Sequence, residues 1–221
     1  MELKLKVCGM RDEANIQAVA ALQPHYMGFI LYGKSPRYIG ENYSIPGSFP
    51  DTIKKVGVFV NESEENMTEA VRILKLDYLQ LHGHESVDVC RSLKQKGIGV
   101  IKAFSIGEDF DFAVTQPYKE VVDFFLFDTK GKYYGGNAQV FDWSILHKYN
   151  QQVPFFLSGG IAAENVSAVK ALAGMNIHAL DVNSGVEDAP AVKSITKLQA
   201  LIAASNAEGI KLTSDNKKTI V

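Results

Sequence analysis

Two reactive groups, a thiol and a carboxyl, each follow a short apolar run in this 221-residue sequence. Cys8 follows the alternating run 3–7 and precedes Gly9, which allows close approach of the backbone. Asp128 follows the apolar run 121–127, where aromatic neighbours would half shield a carboxyl group and suit it to act as a general acid. Both residues have structural alternatives, a small buried hydrophobic residue for Cys8 and a turn-starting aspartate for Asp128.

Two glycine-containing segments, Gly159-Gly160 and Ser184-Gly185, follow two later apolar runs. Glycines let backbone N–H groups converge on an anion, and in α/β barrels the last two loops often hold a phosphate in this way. Plain turns are the alternative. We therefore predict a phosphate site made of both segments.

Other polar candidates lie at loop and strand ends. Arg37, in a long loop, could bind a substrate carboxylate with its fork of donors, although an exposed arginine is often only solvated. Gln80 and His82 alternate along one run and should point to the same side, unless they simply form a polar strand end. The cysteines and histidines lack the spacing of a zinc site, so we predict no metal.

The elements that must position these residues repeat along the chain. Short β-branched and aromatic runs alternate with amphipathic helical patterns, which predicts the α/β class and a (β/α)8 TIM barrel. The two longest connections, 32–51 and 128–138, directly follow strands and are expected to act as lids or substrate clamps. The predicted strands are residues 3–8, 26–31, 55–60, 78–81, 100–104, 122–127, 153–157 and 179–182.

Composition narrows the class of protein. The chain has a net charge of −2 with 46% hydrophobic and 22% charged residues, and no basic stripe of the kind that binds nucleic acid. We find no signal peptide and no apolar run long enough to span a membrane, and we predict a cytoplasmic protein with free thiols. Residues 1–205 are predicted to form one barrel domain, and residues 206–221 a polar, flexible tail.

Six motifs, occurring in one order, closely resemble those of the phosphoribosylanthranilate isomerase family. The family has a single-domain (β/α)8 fold and works in tryptophan biosynthesis, and the resemblance covers about residues 3–204. The motifs are Lys6-Val7-Cys8-Gly9-Met10, Ser35-Pro36-Arg37, Gln80-Leu81-His82-Gly83, Phe127-Asp128-Thr129 with Gly135-Gly136 and Phe141-Asp142-Trp143, Leu157-Ser158-Gly159-Gly160 with Glu164-Asn165-Val166, and Asp181-Val182-Asn183-Ser184-Gly185-Val186-Glu187.

The resemblance implies an Amadori rearrangement without cofactor or metal. N-(5-phosphoribosyl)anthranilate would become 1-(2-carboxyphenylamino)-1-deoxyribulose 5-phosphate, so the expected partner is a small phosphorylated aminosugar. Asp128 would protonate the furanose ring oxygen, and the Cys8 thiolate would take the proton from the sugar C2. By the same resemblance, Arg37 would hold the anthranilate carboxylate, His82 and Asp181 would line the aminoaldose site, and Gly159, Gly160, Ser184 and Gly185 would bind the phosphate.

Two departures from the family pattern stand out. The segment Gly135-Gly136-Asn137-Ala138 replaces Gly-Gly-Thr-Gly, and Ala191 replaces a glycine near the predicted phosphate site. Neither departure touches Cys8 or Asp128, so we expect effects on rate or lid motion rather than loss of activity.

Two other functions stay open at this point, and both would use the same fold. One is a synthase that closes an indole ring, which would need a catalytic lysine at a strand end, where Lys102 is the only good candidate. The other is an inactive barrel that only binds a sugar phosphate. The protein is expected to be a monomer or a homodimer.

Overall fold

The computed structural model describes residues 1–129 and 143–212, and eight parallel strands close into a barrel in sequence order. This confirms the predicted fold, and each predicted strand end lies within two residues of the observed one. The strands are β1 (Lys4–Val7), β2 (Tyr26–Ile30), β3 (Lys54–Phe59), β4 (Tyr78–Leu81), β5 (Gly99–Ile106), β6 (Phe124–Thr129), β7 (Phe155–Ser158) and β8 (Ile177–Val182). A small hairpin, β9 (Glu187–Ala189) and β10 (Val192–Lys193), follows the barrel.

Helices connect the strands except between β2 and β3, and only some of these helices are α-helices. Asp12, Ser63 and Ser86 begin the first three α-helices by accepting a hydrogen bond from the backbone N–H three residues later. The connection between β7 and β8 contains a 3-10 helix in place of an α-helix. The α-helices are α1 (Glu13–Ala20), α2 (Glu64–Leu74), α3 (Val87–Gln95) and α4 (Ile195–Ala207), and the 3-10 helices are Phe112–Tyr118, Trp143–Lys148, Val166–Leu172 and Ser184–Val186.

Strand alternation divides the core into two large apolar regions and a small third one, formed by Cys8, Ile30 and Val58. Outward residues such as Leu5 and Val7 pack against the surrounding helices in the main cluster. The lower barrel interior is filled by a smaller apolar cluster that includes Tyr26, Leu126 and Phe156. The inward-facing residues of β1 are therefore Lys6 and, just beyond the strand, Cys8. Polar side chains occupy the barrel interior above this apolar plug.

Residues 210–212, which follow α4, pack against the segment that leads into β1. Ile210 and Leu212 are fully buried, and the backbone N–H of Leu3 donates to the carbonyl of Lys211 at 2.9 Å. This part of the predicted tail belongs to the packed structure, and residues 213–221 lie outside the described range. Across the described residues, no helix is long and apolar enough to cross a membrane.

A partly buried histidine at the base of the barrel should make the fold sensitive to acid. The ring of His178 lies 4.1 Å from that of Phe124, and its Nε2 is 2.7 Å from the Tyr26 hydroxyl. Burial, with help from Lys4 and His25, lowers the pKa of His178 to about 4. Because the unfolded state takes up a proton below about pH 6.5 and the folded state does not, stability is lost as the pH falls from 6.5 towards 4.

Between pH 7 and pH 4.5 we expect the free energy of unfolding to fall by about 2 kcal/mol through His178 alone, since the ring is only partly buried. The measurement is urea denaturation at pH 7 and pH 4.5 for the wild type and for His178→Gln, which should lose less stability on acidification. His147→Gln, at an exposed histidine, is the matched control and should follow the wild type. Equal acid losses in the wild type and His178→Gln would contradict the assignment.

Candidate functional site

Cys8 lies directly after β1, at the carboxyl-terminal end of the barrel strands. Its backbone N–H donates to the carbonyl of Val182 at 2.8 Å, and the residue is 4% exposed. A Cβ atom at Gly28 on β2 would lie 2.6 Å from the Cys8 sulfur, so only glycine lets the neighbouring strand pass behind the thiol. Burial raises the pKa of the Cys8 thiol, and Lys6 and Lys193 oppose this rise.

A row of polar side chains crosses the upper barrel interior. The Lys6 ammonium group donates to Asp181 and to Gln80, both at 2.8 Å. The Gln80 amide nitrogen lies 2.8 Å from His82 Nδ1, and His82 Nε2 lies 3.5 Å from the carboxylate of Asp128. The strand ends thus bring together the predicted site residues Asp128, His82 and Asp181, with Lys6 linking them to the Cys8 side.

Asp128 lies on β6, which is separated from β1 by β7 and β8 around the closed barrel. Its side chain is 28% exposed, as is that of His82. The thiol and the carboxyl group therefore lie on different sides of one barrel opening. Burial alone would lower the pKa of Lys6, but its contacts with Asp181 and Cys8 outweigh burial and raise it, so this lysine carries a positive charge.

Arg37 is held by a carboxylate that the sequence reasoning did not assign. Its Nε donates to both oxygens of Glu187 at 3.0 and 2.9 Å, and its Nη2 donates to Oε2 at 2.6 Å. Glu187 also pairs with Lys193, whose side chain is fully buried. Burial alone would raise the pKa of Glu187, but the hydrogen bonds from Arg37 and Lys193 outweigh burial and lower it. Glu187 begins β9, so the hairpin orients the arginine.

The alanine noted as a departure lies in this same hairpin. Ala191 is 1% exposed and adopts the left-handed backbone region at φ 65°. An L-residue pays about 1 kcal/mol or more for this conformation, which glycine adopts freely. The N–H of Ala191 donates to Glu187 at 3.1 Å, so this position acts on the carboxylate that holds Arg37.

The two glycine-containing loops pack against each other. Gly159 and Gly160 both have positive φ angles, of 115° and 65°. The Asn165 side chain fixes their loop, since it donates to the Gly160 carbonyl and accepts from the N–H of Ala162, both at 2.9 Å. A Cβ at Gly185 would lie 2.5 Å from the carbonyl oxygen of Ile161, so the loop after β8 touches the loop after β7 only because it carries glycine there.

Lys102, the lysine that an indole-closing synthase would need, lies elsewhere. Its neighbours Ile101 and Ala103 face the barrel interior, so Lys102 points outwards. Its ammonium group is held under the loop after β4, where it donates to the Gly83 carbonyl at 2.8 Å and to Glu85 at 3.0 Å. This placement removes the residue on which the synthase alternative depends.

Part of the sequence prediction lies outside the described residues. This applies to the loop 130–142, with Gly135, Gly136, Ala138 and the Phe141-Asp142 pair. Two residues that face the site, Lys6 and Lys193, were not assigned a function from sequence. A lysine at an inward position of a core strand was the signal that could have identified Lys6, whereas Lys193 lies in a hairpin with no such pattern.

The comparisons with known proteins agree with this geometry. The family model described as N-(5'-phosphoribosyl)anthranilate isomerase matches residues 5–204. A protein of that name from Parabacteroides distasonis is 45% identical over 90% of this chain and 91% of its own length. Another, from Phocaeicola vulgatus, is 40% identical over 90% of this chain and 95% of its own length.

Solved structures show the same relationship. Phosphoribosyl anthranilate isomerase from Thermotoga maritima is 32% identical, with a TM-score of 0.79, over 94% of this chain and 99% of its own. A structure of the enzyme in complex with reduced 1-(o-carboxyphenylamino)-1-deoxyribulose 5-phosphate is 30% identical, with a TM-score of 0.75 and the same coverage. The chain therefore belongs to the N-(5'-phosphoribosyl)anthranilate isomerase family, enzymes of tryptophan biosynthesis.

Proposed function

We propose that Asp128 is the acid and Cys8 the base of the isomerisation that this chain performs on N-(5-phosphoribosyl)anthranilate. The observation that carries this proposal is the polar row across the barrel opening, in which Lys6, Gln80 and His82 lie between the thiol side and the carboxyl side. Ring opening needs a proton donor and enolisation needs a proton acceptor, and each requires a group at its own end of the sugar.

In the first step, the Asp128 carboxyl group gives its proton to the furanose ring oxygen while the C1–O bond breaks, which leaves a Schiff base between C1 and the anthranilate nitrogen. In the second step, the Cys8 thiolate takes the proton from C2, and the electrons of that C–H bond form the enolamine. The enolamine then tautomerises to the ketone product. Cys8 ends the second step as a thiol and Asp128 ends the first as a carboxylate.

The two ends of the substrate are held by different loops in this proposal. Phosphate would lie against the backbone of Gly159, Gly160, Ser184 and Gly185, where the two glycine-containing loops touch. The anthranilate carboxylate would bind Arg37, while His82 and Asp181 line the sugar between them. This places the reacting C1 and C2 between the acid and the base.

An assay on the purified full-length chain separates the enzyme from an inactive binder. The substrate is fluorescent, and an isomerase consumes it, so the fluorescence should decay at a rate proportional to protein concentration. A binder would bind a product analogue without any decay. Binding without turnover would overturn the proposal.

The proposed clamp predicts a loss of binding in Arg37→Ala. A hydrogen bond to a charged group contributes about 1.5–3 kcal/mol, so KM should rise at least about tenfold while kcat changes far less. Steady-state kinetics with the fluorescent substrate measure this. Arg11→Ala is the matched control, because this exposed arginine donates to the neighbouring Tyr38 carbonyl at 3.2 Å. An unchanged KM in Arg37→Ala would count against the clamp.

The setting and assembly of the enzyme are also proposals. We propose a cytoplasmic enzyme that works as a monomer or a homodimer. One solved relative from Thermotoga maritima is described as monomers generated from a dimeric phosphoribosylanthranilate isomerase. It is 28% identical, with a TM-score of 0.75, over 92% of this chain and 98% of its own. Light scattering of the purified chain distinguishes the two states.

A further inference from the structure

Two buried ammonium groups flank Cys8, and the proposed acid and base roles use neither. Lys6 precedes Cys8 by two residues on β1, so both side chains face the barrel interior. Its Nζ donates to Asp181 and Gln80. Lys193 comes from the hairpin, with a fully buried side chain, and its Nζ donates to Asn183 at 2.7 Å and to Glu187. The two cations reach the thiol from separate elements.

The backbone beside Cys8 shows how tightly the second lysine is packed. A Cβ at Gly9 would lie 3.3 Å from the Lys193 nitrogen and 2.7 Å from the Asn183 side-chain oxygen. Glycine at residue 9 therefore leaves room for the Asn183 side chain that holds Lys193, and Lys193 lies close to the backbone next to the thiol. On the other side, Gly28 leaves the sulfur against bare backbone. An anion on this sulfur would have little water around it and two cations beside it.

The charged groups that face the thiol come from four elements: Lys6 from β1, Asp181 from β8, Lys193 from β10 and Arg37 from the loop after β2. Burial raises the pKa of the Cys8 thiol, and the carboxylate of Asp181 adds to that effect. Lys6 and Lys193 act in the opposite direction. Burial lowers the pKa of Lys193 itself, and its pairing with Glu187 opposes that fall. The two lysines therefore offset part of the cost of placing a thiolate in a buried site.

We propose that Lys6 and Lys193 are positioning residues for the reaction, which act by stabilising the thiolate form of Cys8. The inference rests on the proposed role of Cys8 as the base. Lys193 has a second consequence, because Glu187 accepts from both Lys193 and Arg37. Through Glu187, the hairpin thus connects Lys193, which stabilises the base, with Arg37, which is proposed to bind the substrate carboxylate.

Titration of the Cys8 thiol tests this inference without reference to turnover. Thiolate absorbance near 240 nm is measured against pH for the wild type, Lys193→Met and Lys193→Arg. The curve of the same protein carrying Cys8→Ser is subtracted in each case to remove the signal of Cys90. We expect Lys193→Met to titrate about one pH unit higher, which is a roughly tenfold lower thiolate fraction at neutral pH. Lys193→Arg keeps the charge and should titrate close to the wild type.

The kinetic counterpart is a pH profile of kcat for the same variants. Lys193→Met should lose about tenfold in kcat at neutral pH and recover as the pH is raised, because a higher pH restores the thiolate. A purely structural role for Lys193 would lower the rate equally at every pH. Lys6→Met should show the same shift in titration and in profile.

The matched control is Lys102→Met, which removes another buried lysine paired with a carboxylate, at 3.0 Å from Glu85. It lies outside the barrel interior, so it should lower stability and leave the Cys8 titration unchanged. A Lys193→Met titration curve that superimposes on the wild-type curve would overturn the inference. This test does not depend on whether Lys6→Met folds. Normal turnover in Cys8→Ser would instead contradict the base role and leave the titration result intact.

Discussion

Asp128→Asn is expected to lower kcat by about a thousandfold and to leave the binding of a product analogue close to normal. An asparagine amide has nearly the shape of the carboxyl group, so it should preserve the barrel opening and the neighbour His82, whose Nε2 lies 3.5 Å from the carboxylate. It cannot give a proton to the ring oxygen, and ring opening would then depend on water. Single-turnover fluorescence decay and analogue titration measure the two quantities.

The control for this variant is the same substitution at the other end of the same strand. Asp123 lies just before β6, where its carboxylate accepts from the backbone N–H of Val100 at 2.7 Å and pairs with Lys94. Asp123→Asn should lower stability and leave kcat close to the wild-type value. Near-normal turnover in Asp128→Asn would exclude Asp128 as the acid.

Cys8→Ser is expected to have a comparable effect, a loss of about a thousandfold in kcat with analogue binding retained. The serine hydroxyl is close in size to the thiol and fits beside Gly28. Its pKa lies far above that of a thiol, so almost no alkoxide exists to remove the C2 proton. Steady-state kcat and analogue affinity are the measurements.

The pH dependence of kcat in the wild type provides a second test of Cys8 as the base. Burial raises the pKa of the Cys8 thiol, and a base works only when deprotonated, so kcat should rise with pH across the neutral and mildly alkaline range. This alkaline rise should be absent from the residual activity of Cys8→Ser. A profile that is flat over this range in the wild type would contradict the base role.

Cys90→Ser is the matched control for the thiol substitution. Cys90 is also a buried free thiol, but it lies on α3, and burial raises its pKa to about 11. The variant should lose some stability through its buried hydroxyl and keep its kcat. A large loss of kcat in Cys90→Ser would mean that serine substitution at a buried thiol reduces activity without any role in proton transfer.

Ala191, which replaces a glycine of the family pattern, lies in the hairpin of β9 and β10 and contacts Glu187 there. The sequence comparison placed this residue near the phosphate, whereas the structure shows its N–H bonded to Glu187, which holds Arg37. An alanine in the left-handed region favours backbone rearrangement more than glycine would. Its influence should therefore appear in the binding of the carboxylate end of the substrate.

The sequence by itself determined the barrel and the end at which its chemistry lies. Each strand is a short, mostly apolar run, and most strands are followed by an amphipathic segment. The folded protein keeps these elements because strand pairing and helix packing bury the same residues that the pattern marks as apolar. Cys8, Asp128 and both glycine-containing loops directly follow such runs. Parallel strands bring their carboxyl ends to one end of the barrel, so the pattern already predicts that these residues lie together there.

Only the tertiary structure decided which charged groups act on these residues. Lys6 and Lys102 are both lysines in core strands, yet one faces the interior beside Cys8 and the other is held outside the barrel by Glu85. Lys193 is far from Cys8 along the chain and meets it through closure of the hairpin. Alternation alone marks which of the two strand lysines faces inwards. The partners of each lysine and the place of Lys193 depend on register and on loop packing between distant segments, which no local period encodes.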